Sequence, residues 1–136
     1  MNLRALCALV LACGVAIASA GCGGVNDPSK NQNDDITDTI SPFLSEIYSF
    51  TATKNGEYSV TITALSNPNV VLGIGVGILN SQGTCSAVIG SNNLAVLNRT
   101  ALTGSVNKGN YCLSVYDNLG GTLTDTVTFT IRLSHP

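Results

Sequence analysis

Thr126-Val127-Thr128-Phe129-Thr130-Ile131-Arg132-Leu133 alternates polar and apolar side chains without a break. A strand turns successive side chains to opposite faces, so Val127, Phe129, Ile131 and Leu133 share a buried face and Thr126, Thr128, Thr130 and Arg132 a wet one. Upstream, Tyr111, Leu113 and Val115 alternate with Cys112, Ser114 and Tyr116 after the turn residues Asn107-Lys108-Gly109-Asn110. By that parity Cys112 points away from the core. Leu72, Ile74, Val76 and Ile78 alternate with Gly73, Gly75 and Gly77, and three glycines on one face read either as a covered sheet surface or as a groove.

Tyr48, Phe50 and Ala52, then Tyr58, Val60, Ile62 and Ala64, flank Lys54-Asn55-Gly56, so a hairpin is expected there. Ser66-Asn67-Pro68-Asn69 and Asn80-Ser81-Gln82-Gly83 are turns. Apolar stretches at 85–89 and 94–97 flank Gly90-Ser91-Asn92-Asn93, read as a further turn, and Leu102 and Val106 mark a weaker strand. No helical stripe follows residue 25. The expected fold is all-β, an antiparallel β-sandwich of about 7–8 strands.

Composition narrows the function. The 136 residues suit one small domain, and six Lys+Arg against eight Asp+Glu leave no basic face to neutralise phosphates, so no nucleic-acid partner is expected. The single imidazole, His135, lies at a terminus that is usually frayed. Glu46, Glu57, Asp117 and Asp125 stand singly, and no phosphate loop or Cys-His pair occurs. The expectation is a protein with no catalytic residues, no metal site and no cofactor.

The first residues read as an export signal. Arg4 gives a short positive region, and residues 5–18 are apolar but too short for a span, which needs roughly 20 residues. Ser19-Ala20-Gly21-Cys22 resembles a bacterial lipobox, with Ser19 where Leu is usual. Residues 1–21 are thus expected to be a lipoprotein signal peptide and Cys22 the lipidated residue, anchoring the chain in a bacterial envelope membrane. The competing reading is cleavage after Ala20, giving a soluble periplasmic or secreted protein. From Gly23 to Asp35 almost nothing is apolar, and residues 22–40 are read as the lipidated Cys and a flexible linker before a domain at 41–136. Asp34, Asp35 and Asp38 also have oxygens for calcium, though without the spacing of a calcium loop.

Cys7 and Cys13 leave with the signal, so lipidation of Cys22 leaves Cys85 and Cys112, expected to pair outside the inner membrane. Closing that loop would stabilise the fold by roughly 3–4 kcal/mol in the chain-entropy picture.

Tyr48-Ser49-Phe50, Gly56-Glu57-Tyr58-Ser59-Val60, the strand Leu72 to Ile78 with its turn at 80–83, and Gly109-Asn110-Tyr111-Cys112-Leu113-Ser114-Val115-Tyr116 together resemble the bacterial pre-peptidase C-terminal domain over roughly residues 45–133. The resemblance implies a jelly-roll-like sandwich of the kind appended to exported enzymes, whose collagenase relatives bind calcium and collagen. Where that family often has acids entering the third strand this chain has Asn67-Pro68-Asn69, so no calcium ligand is carried over.

Two function classes follow. One is a tethered binding module; the other is a structural envelope component with no small ligand, and a calcium-assisted carbohydrate- or matrix-binding module is a further alternative. Sugar platforms need exposed aromatics, and with four Tyr, three Phe and no Trp a protein partner is favoured over a polysaccharide. The outward Thr rows, Tyr116 and the glycine face are candidate surfaces. The loops holding Asn67, Asn69, Asp117 and Asn118 are the favoured binding residues.

Overall fold

A computed structural model describes residues 28–118 and 121–136. The expected signal peptide, residues 1–21, and Cys22 lie outside the described residues. After one 3-10 turn, Pro28–Lys30, eight strands follow: β1 Gln32–Ile40, β2 Ser45–Ala52, β3 Gly56–Leu65, β4 Leu72–Leu79, β5 Cys85–Ala95, β6 Thr100–Val106, β7 Gly109–Asp117 and β8 Val127–His135. They form two four-stranded antiparallel sheets, ordered β1-β8-β3-β6 and β2-β7-β4-β5. Every connection except β4–β5 crosses between the sheets, which is the jelly-roll order.

The inner faces meet in one core. The first sheet supplies Ile40, Val60, Ile62, Phe129, Ile131 and Leu133, and the second Leu72, Ile74, Val76, Leu113 and Val115, all essentially inaccessible. The alternation of β8 holds residue by residue.

Four expectations need correction. Residues 32–40 are a strand rather than linker: β1 pairs with β8 over nine positions and turns Ile36 and Ile40 inward. Its acidity hid it, because Asp34 and Asp38 have that same inward parity. Asp34 meets His135 Nε2 at 3.0 Å, and Asp38 accepts a hydrogen bond from the Tyr48 hydroxyl at 2.9 Å. Inward charges on an edge strand also discourage pairing with other chains. Asp35 faces outward in a bidentate pair with Arg132 at 2.8 Å, so the three carboxylates do not converge on a cation. Among the described residues no group of three His, Cys, Asp or Glu is arranged to hold a metal.

Second, β2 and β3 do not form a hairpin, since β2 pairs with β7 and β3 with β6 and β8. Asn55 ties the β2–β3 connection to the β6–β7 connection instead, its side-chain oxygen accepting from the Lys108 N–H at 2.8 Å. Third, Gly90-Ser91-Asn92-Asn93 lies inside β5 rather than in a turn. Register shifts absorb the polar run, and Asn92 donates to the Ala101 carbonyl at 2.6 Å. His135 is likewise not frayed; it is 3% exposed, ending β8 beside Phe50 at 5.1 Å between ring centroids.

The glycine face of β4 is covered. A methyl group at Gly73 would overlap the Tyr116 ring of the neighbouring strand, one at Gly75 would lie 2.6 Å from Ser114 Oγ, and one at Gly77 3.1 and 3.3 Å from the sulfurs of Cys85 and Cys112. Those cysteines form a disulfide, Cα–Cα 5.7 Å, on the outer side of the second sheet. Tyr116, read as a candidate contact residue, packs on Gly73 and donates to Asn93 at 2.6 Å.

Candidate binding face

The pairings Ser45↔Tyr116, Leu72↔Asp117 and Leu72↔Ala95 align strand ends of the second sheet, and Ile40↔Val127 and Leu65↔Phe129 those of the first. The connections 41–44, 66–71, 96–99 and 118–126 therefore gather at one end of the sandwich. All four loop residues expected from sequence are there, but they do different work.

Asp117 is an internal clasp. It is 8% exposed; Oδ2 accepts from the Phe43 N–H at 3.0 Å, and Oδ1 accepts from the N–H groups of Thr122 at 2.9 Å and Leu123 at 3.1 Å. Its own N–H donates to the Leu44 carbonyl at 3.1 Å. Burial pushes the carboxyl pKa up, yet the donors at Phe43, Leu123 and Thr122 outweigh it and hold the group below its ordinary value. With its oxygens engaged, Asp117 positions the loops rather than contacting a ligand.

What it positions is Phe43, a residue with no clear signal in the sequence. Ser41-Pro42-Phe43-Leu44 is a turn closed by the Leu44 N–H on the Ser41 carbonyl at 3.2 Å. Pro at the second place and a positive φ at the third are the marks of a type II turn, whose third place favours Gly or Asn. Here it holds Phe43, at φ 65° and 80% exposed. Its ring lies against Gly121, whose φ is 66° and which has no room for a Cβ. A bulky residue held left-handed and in water costs about 1–2 kcal/mol against the usual backbone, without the return of burial. Leu44 and Ile47, 54% and 51% exposed, extend the apolar surface onto β2.

Beyond Asn118 lies a groove of about 510 Å³ between the 66–71 and 118–126 connections, with Asn67, Asn69 and Asn118 on its rim. Asn67 Oδ1 accepts from the Asn69 N–H at 3.1 Å, shaping the rim. Asn118 also lines a shallower hollow of about 280 Å³ beside Phe43 and Leu44. Exposed Leu94 closes the groove on the β5 side. The structure thus brings Asn67, Asn69 and Asn118 together, removes Asp117 into support, and adds Phe43 and Leu44.

No known protein family and no curated protein matches the chain. Among solved structures, the periplasmic inhibitor of g-type lysozyme PliG from Aeromonas hydrophila is similar in fold, with a TM-score of 0.54 at 17% identity over 81% of this chain and 91% of that one.

Proposed function

We propose that this protein is a non-catalytic module of the bacterial cell envelope that binds another protein through the loop end of its sandwich. The carrying observation is Phe43, an exposed aromatic kept at a turn position that favours Gly, and fixed there by a buried carboxylate. Backbone strain in an exposed side chain persists where the side chain is used, and aromatic anchors flanked by aliphatic ones dominate protein interfaces. PliG is described as an inhibitor of a lysozyme, which supports a protein as the partner of a domain of this shape. The proposed attachment is a lipid on Cys22, and it rests on the Ser19-Ala20-Gly21-Cys22 sequence after the apolar stretch. The pre-peptidase C-terminal resemblance remains a proposal about ancestry, resting on its strand motifs.

Affinity isolation of the exported protein from native envelopes after chemical cross-linking tests this reading. Wild type is expected to bring down a defined protein that Phe43→Gly does not, at equal abundance of bait. Identical captures, or hydrolytic turnover of a peptide, ester or glycan by the pure protein, contradict it.

A further inference from the structure

The groove beyond Asn118 has a chemistry of its own. Its floor is aliphatic, from Val70, Leu123 and Val127, and its rim carries side-chain amides and hydroxyls. None of the described residues lining it is Lys, Arg, His or aromatic, and Asp125 is its one acid. An anion would find no cation there, and a sugar no ring to stack on. A carboxamide offers both a donor and an acceptor, the same pair a peptide unit presents. The side-chain amides of Asn69 and Asn118 have no hydrogen-bond partner among the described residues, although their backbones do. The volume, about 510 Å³, falls within the roughly 300–1,000 Å³ of binding clefts.

We propose that this groove binds an extended, uncharged polypeptide segment, held at its main chain by the amides of Asn69 and Asn118 while its apolar side chains meet Val70 and Leu94. The proposal rests on the protein-binding reading and adds the kind of segment the partner contributes. Asn118 borders both the groove and the hollow beside Phe43, so a bound segment lies next to the aromatic contact without depending on it.

The test is nitrogen-15 NMR of the exported full chain, titrated separately with the blocked peptide acetyl-Ser-Val-Thr-Val-Ser-amide, a chito-oligosaccharide and inorganic phosphate. The peptide is expected to shift the side-chain amides of Asn69 and Asn118 saturably. Binding should weaken about tenfold in the Asn69→Ala, Asn118→Ala double variant, the scale of one or two lost hydrogen bonds, and stay unchanged in Thr103→Ala on the exposed face of β6. No saturable shift with the peptide, or a shift of these amides by the oligosaccharide or phosphate instead, overturns the proposal. Capture of a partner through Phe43 while the peptide leaves the groove unmoved would remove the groove proposal and leave the protein-binding reading standing.

Discussion

Phe43 and Asp117 divide the work of the loop end between display and support. Replacing Phe43 with Gly removes an 80% exposed ring and relieves a left-handed backbone, so unfolding stability should hold or rise by about 1 kcal/mol in a urea titration. A clear loss of stability would mean that the ring is structural. Asp117→Ala should act in the opposite sense, because it strands the N–H groups of Phe43, Thr122 and Leu123. A loss of about 2–4 kcal/mol is expected by chemical denaturation, the range for several donors left unpaired in a partly buried site. Neither role was legible in the sequence. Asp117 read as one more polar loop residue, since burial and four-way bonding depend on loops distant along the chain, and Pro42 suits type I and type II turns alike while Phe43 stands where Gly or Asn would have signalled type II. Asn67, Asn69 and Asn118 were legible because turn chemistry places such residues in loops, and the jelly-roll connections carry those loops to one end.

At the scale of elements, β1 adds three carboxylates to the acid sensitivity that Asp117 gives the loop end. The carboxyl of Asp34 is held below its ordinary pKa by hydrogen bonds from Gln32 and His135, that of Asp35 by Arg132, and that of Asp38 by the Thr39 N–H and Tyr48. Folded pKa values below the unfolded ones mean that the contribution is complete above the unfolded value of about 3.9 and is lost as pH falls through the folded values. Stability should therefore change little on this account from pH 7 to about 5 and fall below about 4, with a smaller fall in Asp34→Asn, Asp38→Asn. An equal acid loss in that variant would remove Asp34 and Asp38 from the explanation. The disulfide makes a second prediction: Cys85→Ala, Cys112→Ala should lower stability by about 3–4 kcal/mol and keep the far-ultraviolet strand signal, because the core alternation does not depend on it. Loss of strand content would show that the bridge is needed to form the second sheet. β8 was legible because it has one wet and one buried face, and β7 because Tyr111, Leu113 and Val115 recur at every second residue, although its outer face is covered. β1 was not, since Asp34, Asp35 and Asp38 meet His135, Arg132 and Tyr48 only once β8 and β2 are in place, and the β2–β3 pairing was misread because an Asn-Gly turn says nothing of which sheet receives the next strand.

Across the whole molecule, chain entry and binding face lie at opposite ends. Pro28–Lys30 and β1's start sit beside Ser134 and the Pro136 carbonyl, where Asn31 donates to the Ser134 hydroxyl and Thr53 to Pro136, whereas Phe43 and the groove lie at the far ends of the strands. Nine residues of β1 at about 3.3 Å each separate them by roughly 30 Å. A lipid on Cys22 would hold the near end at the bilayer and present the loop end to proteins beyond it. The most direct test is to place a photo-activatable phenylalanine analogue at position 43 of the full chain in living cells, with the same analogue at exposed position 103 on β6 as the control. Illumination is expected to join position 43 to one defined protein and position 103 to none. Adducts that are equal at both positions, or absent at position 43 while the chain is exported and folded, would contradict the account.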